Sequence, residues 1–304
     1  MILTPPPLHA RSGVSFPDAS IKALGVATKI EFAFDANFAT AFCRATSKNQ
    51  RWTPTPGSAS LNSLKISIIV PAFNEERLLA STLNQINTAR AALAPRGWDS
   101  ELIVCDNNST DGTAAIARAA GARVVFESVT QIGRARNTGA AAASGNWLLF
   151  IDADSHPTTE LLADMTDQIQ SGRCLAGGST ICLEGHHRLA NCVTAGWNWI
   201  SRARRWLAGS FIFCETTAFR QLGGFNPEMF AGEELDLTTR LQELARGSGR
   251  TIVILHRHPL LTSARKVQLY STSDHLRFLW RVIVNREATF RDRAACYAWY
   301  DGRR

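Results

Sequence analysis

Two aspartates one residue apart, Asp152 and Asp154, close the apolar run "NWLLFIDAD". A charge inside a core is costly unless it is paired, so acids in this place read as groups that emerge where a strand leaves the core. Two hard oxygen donors suit Mg²⁺ or Mn²⁺, which complete their shell with water and phosphate oxygens. The same pair also reads as a solvated strand end or as the cap of a helix after Pro157, and spacing alone does not separate these readings. A second acidic group, Glu233, Glu234 and Asp236, opens "EELDLTTRL", where Leu235, Leu237 and Leu241 give the buried face of a helix. The helix dipole favours negative charge in a first turn. A carboxylate within reach of a hydroxyl can also serve as a general base.

The segments that must position these acids follow a clear rhythm. "KISIIVPAFN", "ELIVCDNNSTDG", "RVVFE" and "NWLLFIDAD" are strand-like and apolar on both faces. Between them, "EERLLASTLNQINTARAAL", "TAAIARAAG" and "QIGRARNTGAAAASG" have helical spacing, the second with Ser109 or Thr110 as its expected cap and Gly121 as its stop. Alternation of this kind predicts an α/β fold, a mostly parallel sheet flanked by helices. Ligands of such sheets bind beyond the carboxyl ends of the strands. The polar residues gather there: Asn74 and Glu75 after the first strand, Asp106 and Asn107 after the second, Asp152 and Asp154 after the fourth.

Five segments in order, "VPAFNEE", "CDNNSTDGT", "GRARNTGAAAASGNWLLFIDADS", "LGGF" and "GEELDLTTRL", resemble the family-2 glycosyltransferases of GT-A fold, over residues from about 65 to about 266. The closing "LTSAR" resembles a small soluble bacterial subgroup. The resemblance implies a nucleotide-diphosphate sugar donor, a divalent metal (Mn or Mg) as cofactor, and transfer to an unidentified hydroxyl acceptor, lipid-linked or soluble, with inversion at the anomeric carbon. It implies that Pro71, Ala72, Phe73 and Glu75 hold the nucleoside, that Asp106 accepts a hydrogen bond from the base, and that Arg136 and Asn137 lie against the nucleotide. Asp152 and Asp154 match the metal motif, with Asp154 the better direct ligand. His156 stands where relatives acting on polyprenyl phosphate carry a third ligand. The family's Glu-Asp-x-Asp reads Glu-Glu-x-Asp here, so Glu234 takes the place of the base, with Glu233 as its competitor. Arg265 is positioned to neutralise the leaving diphosphate. Two alternatives stand beside this reading. A catalytically idle GT-A-like module would bind the nucleotide sugar without turnover, and the intact acids argue against it. A nucleotidyltransferase would need a glycine-rich, basic loop after the first strand, which "PAFNEERLL" lacks.

Composition bounds the rest. The chain has 304 residues, 45% hydrophobic, with net charge +7. From Leu255 onward ten Lys and Arg face four Asp and Glu, so +6 of that charge lies in the last fifty residues. That the basic charge is confined to the tail argues against nucleic acid. Seven cysteines are scattered without a C-x-x-C pair, as in reduced, cytoplasmic proteins. No run reaches the ~20 apolar residues of a membrane span. Residues 1–63 read as a poorly ordered leader in which Phe34, Phe38 and Phe42 share a helical face, residues 64–270 as the GT-A domain, and 271–304 as a basic helical tail. In that tail Leu276, Leu279, Trp280, Ile283 and Val284 fall near one face, with Arg277, Arg281 and Arg291 away from it. This is the pattern of an interfacial helix and points to peripheral contact with the inner membrane face, or to ordinary packing on the domain.

Overall fold

The computed structural model describes residues 64–185, 188–207, 210–265 and 272–300; the expected leader and its phenylalanine repeat lie outside them. In chain order the elements are β1 (Lys65–Ala72), α1 (Leu79–Ala89) continued by a 3₁₀ turn (Arg90–Arg96), β2 (Asp99–Asp106), α2 (Thr113–Ala119), β3 (Arg123–Phe126), α3 (Ile132–Ala141) and β4 (Trp147–Ile151). There follow β5 (Ser155–His156), α4 (Thr159–Gln170), β6 (Cys174–Leu183), α5 (Arg188–Arg204), β7 (Phe211–Glu215), α6 (Thr216–Gln221), α7 (Glu233–Ser248), β8 (Thr251–Thr262), α8 (Thr272–Arg291) and α9 (Tyr297–Tyr300).

One eight-stranded sheet runs in the order β3-β2-β1-β4-β7-β6-β8-β5. Its first four strands pair in parallel, as their two-sided apolar sequences predict. Alternate residues of β1 enter opposite cores: Ile66, Ile68 and Val70 pack with Leu79, Leu83 and Leu161, whereas Ile69 packs with Phe150, Phe225 and Leu237. Helices therefore cover both faces, α1 and α4 on one, α3 and α7 on the other. Beyond β4 the direction changes. The strand β7 lies antiparallel between β4 and β6, β6 and β8 pair in parallel, and the two-residue β5 closes the edge antiparallel to β8.

Three local expectations need correction. Neither Ser109 nor Thr110 caps α2. That helix starts at Thr113, whose N–H is taken by the Asp111 carboxylate at 3.0 Å, while Ser109 and Thr110 bond Asn74. Gly121 does end the turn, at φ +77°. Leu235 is only half-buried, so the inner face of α7 rests on Leu237 and Leu241. In the tail, α8 breaks at Asn285, where φ is −151° and ψ is 82°. Trp280 and Val284 are exposed there, at 67% and 65%, alongside exposed Arg277 and Arg281; the side chains of Leu276, Leu279 and Ile283 lie outside the described set. Among the described residues no helix is long and apolar enough to cross a membrane.

Candidate active site

Four strand ends and one helix start converge on the same edge of the sheet. The loops after β1 and β2 are tied together there. Asn74 and Asn108 take positive φ, 52° and 64°, a conformation that asparagine tolerates better than most residues. The Asn74 N–H donates to the Ser109 hydroxyl, the Asn74 side chain accepts from the Thr110 N–H, and the Glu75 N–H donates to the Thr113 hydroxyl. The Gly112 N–H donates to the Glu76 carboxylate in return for the bond that the Glu76 N–H makes to Asp111. Asp106, the last residue of β2, is buried and accepts from the Ser109 N–H at 3.0 Å.

The acids reach the site by different routes. Asp152 and Asp154 follow β4 directly and, with Pro71, Ala72, Phe73 and Glu75, line one cavity at the edge. Arg265, just past β8, closes another wall of it. Its guanidinium grips Glu75 through two bonds of 2.8 and 2.9 Å and stands 3.5 Å from an Asp154 oxygen. Burial alone would lower its pKa, but Glu75 and Asp154 outweigh this and raise it, so the cation is secured. His156 is turned away from these acids. Its Nδ1 lies 3.1 Å from Glu184, its Nε2 is buried without a bond, and it does not line the cavity.

Behind the cavity lies a buried ionic cluster. Arg136, on α3 and 2% exposed, donates through Nη1 to Glu233 at 2.9 Å and Glu234 at 3.0 Å, and through Nη2 to Asp152 at 3.0 Å. Its ring partner is Phe225, 5.2 Å away. The neighbouring Asn137 is bonded instead to the backbone of Phe225, through both its amide nitrogen and its oxygen. Glu233 and Glu234 open α7 after Gly232, whose φ of +73° turns the chain into the helix. One guanidinium facing three carboxylates cannot neutralise them all. Burial first, and then the Glu234 charge, push the Glu233 carboxyl up to about 8, against the pull of Arg136. Glu234 is the more accessible of the pair, with 19% of its side chain exposed against 2% for Glu233.

Hard-oxygen donors facing a common cavity fit a divalent cation held by two carboxylates, the remainder of its shell being substrate oxygens and water. Among the described residues no three His, Cys, Asp or Glu side chains converge as a complete protein cage. Three contributors to the site have no role assigned to them by the motifs. Asn107 braces the floor by donating to the carbonyls of Glu127 and Val129 and accepting from the Gln131 N–H, and its place directly after Asp106 was the available signal. Thr130 lines the cavity from the loop that follows β3. Tyr300 lines it too, from the far end of the chain, with no local sequence signal.

Residues 67–207 match the family model described as Glycosyl transferase family 2. Over 137 residues the chain is 31% identical to an uncharacterised glycosyltransferase of Mycobacterium tuberculosis, covering 45% of this chain and 54% of that relative, so it spans about half the relative's length. Over 111 residues it is 35% identical to glucosyl-3-phosphoglycerate synthase of the same species, covering 34% of this chain and 33% of the relative. Among solved structures it resembles that synthase in complex with Mn²⁺, UDP-glucose and phosphoglyceric acid, with a TM-score of 0.52 at 21% identity over 78% of this chain and 79% of the other. It also resembles a mannosyltransferase of Pyrobaculum calidifontis in complex with GDP-mannose and Mn²⁺, with a TM-score of 0.56 at 17% identity over 90% of this chain and 72% of the other. These structural likenesses establish the fold, which is GT-A.

Proposed function

We propose that this chain, a member of glycosyl transferase family 2, is an inverting, metal-dependent enzyme that moves a sugar from a nucleotide-diphosphate donor to a hydroxyl acceptor. The observation that carries the proposal is the direct link through Arg136 between the aspartate that lines the cavity and the two glutamates that open α7.

In this reading Phe73 and Glu75 shape the nucleoside end of the cavity, with Asp106 at the end of β2 taking the base. Asp154 and Asp152 hold the cation, which when bound supplies charge to the donor diphosphate and makes it a better leaving group. Arg265, already secured as a cation, adds a second positive charge on the same side. The acceptor oxygen attacks the anomeric carbon from the face opposite the diphosphate. The new carbon–oxygen bond forms as the bond to the diphosphate oxygen breaks, and the acceptor proton passes to the Glu234 carboxylate. Glu234, with 19% of its side chain exposed against 2% for Glu233, is the better placed of the pair to meet an acceptor hydroxyl.

A panel of nucleotide sugars including UDP-glucose and GDP-mannose, each with Mn²⁺ and with Mg²⁺, tests the proposal. At least one should raise the melting temperature only with metal and release nucleoside diphosphate on turnover. Metal-dependent binding without turnover under any acceptor mixture would favour an idle binding module. The acceptor is lipid-linked if the exposed Trp280, Val284, Arg277 and Arg281 of α8 meet a membrane. Flotation of the full chain with anionic vesicles at low salt separates this from a soluble acceptor.

A further inference from the structure

The end of the chain returns to the site. Past the kink at Asn285, Phe290 and Cys296 are buried against Ala231, with Met229, Phe230 and Tyr300 packed around them. The backbone of Phe230 is held on both sides by this segment: its N–H donates to the Phe290 carbonyl at 2.7 Å, and its carbonyl accepts from the Tyr300 hydroxyl at 2.9 Å. The rings of Phe230 and Tyr300 meet edge to face at 5.5 Å. Two residues further on, a Cβ at Gly232 would lie 2.7 Å from the Phe290 ring, so Phe290 packs flush on the residue that launches α7. From the opposite side Gln131 donates to the carbonyls of Pro227 and Met229. The turn that precedes Glu233 is therefore clamped between the donor-side loop and the C-terminal arm. Tyr300 also lines the cavity that holds Asp152 and Asp154. That cavity is about 70 Å³, small beside the several hundred Å³ usual for a ligand pocket, and Tyr300 is one of its walls.

We propose that residues 290–300 are a working part of the active site: the Tyr300 ring forms a wall against the bound nucleotide sugar, and its hydroxyl, through the Phe230 carbonyl, positions the turn that carries Glu233 and Glu234. Tyr300 is thus a donor contact through its ring and a positioning residue through its hydroxyl. The inference rests on the reading of Glu234 as the base.

Two variants separate the roles. Tyr300→Phe keeps the ring and removes the hydroxyl. Donor affinity, measured by calorimetry with UDP or GDP plus Mn²⁺, should stay within about twofold while turnover falls about tenfold, the scale of one lost hydrogen bond. Amide exchange over residues 230–236 should speed up by a similar factor. Tyr300→Ala should in addition weaken nucleoside-diphosphate or nucleotide-sugar binding at least several-fold, and restoring the ring as Phe should rescue binding but not turnover. Wild-type exchange and turnover in Tyr300→Phe would overturn the positioning role, and wild-type affinity in a folded Tyr300→Ala would overturn the wall. If Tyr300→Ala does not fold, donor affinity in Tyr300→Phe below half that of the wild type also overturns the division of roles. If neither UDP nor GDP binds the wild-type protein, the uridine and guanosine donors are excluded by that result alone. The exchange rates over 230–236 then decide whether the arm holds the turn, and unchanged rates would refute it.

Discussion

Arg136 is the residue on which the site's electrostatics turn. Sequence resemblance placed it beside the nucleotide; in the fold it lies beneath the site, bonded to Asp152, Glu233 and Glu234. A linear motif carries residue type, but which side of α3 faces the sheet depends on packing against β1 and β2. The acids themselves were legible because strand ends and helix starts are local features. Asp154→Ala should leave the fold intact and abolish metal-dependent donor binding; calorimetry with donor and Mn²⁺ showing wild-type affinity would remove Asp154 from the site. Glu234→Gln should bind donor normally and lose turnover by at least about a hundredfold, the low end for a lost general base. If Glu233→Gln alone has that effect, the base is the buried member of the pair. Glu233 also predicts a pH signature. Its carboxyl titrates higher in the folded protein than in the unfolded chain, where about 4.5 applies. Its contribution to stability is therefore complete below that value and is lost as pH rises toward about 8. Melting curves of Glu233→Gln against wild type should show the variant gaining, in relative terms, between pH 5 and pH 8.5, and parallel profiles would contradict the shift.

At the level of elements, the alternation of strand and helix from β1 to β4 could be read directly, because burial on both faces leaves unbroken apolar runs. The antiparallel half could not. "FIFCE" is equally apolar whichever way it runs, and the two residues of β5 are too short to show any period. Close approach was also invisible in sequence. Gly139 of α3 sits where an added Cβ would come within 2.5 Å of Ile69 Cγ2 on β1. Gly139→Ala should therefore force α3 off the sheet that supports Arg136 and cost about 1–3 kcal/mol. Gly247, exposed near the end of α7 with nothing within 4 Å of where a Cβ would stand, is the matched control. There Ala should be neutral or stabilising by a few tenths of a kcal/mol to about 1 kcal/mol. Chemical denaturation of both variants checks the contrast, and equal gains would mean that helix propensity and not contact sets the effect.

Over the whole molecule, the family match covers 67–207, yet the site draws on Glu233, Glu234, Arg265 and Tyr300 beyond it. Contacts such as Phe230 with Phe290 and Tyr300 leave no periodic trace, which is why the tail read only as a basic amphipathic helix. The +7 net charge was visible in composition, but composition does not say that the end of the tail folds back against α7. The interlocked loops after β1 and β2 carry a thermodynamic consequence. Asn74, Glu75 and Glu76 are already stitched to Ser109, Thr110, Asp111, Gly112 and Thr113 before any nucleoside arrives. The conformational entropy of that floor is surrendered during folding, so little remains to be lost on association. Nucleoside diphosphate binding should then show a heat-capacity change no larger than its own buried surface requires, without the excess that marks ordering of disordered chain. Amide protection at 74–76 and 109–113 should be high in the free protein and nearly unaltered by ligand. A large negative excess in heat capacity, with protection appearing there only on binding, would mean that the ligand itself assembles the floor.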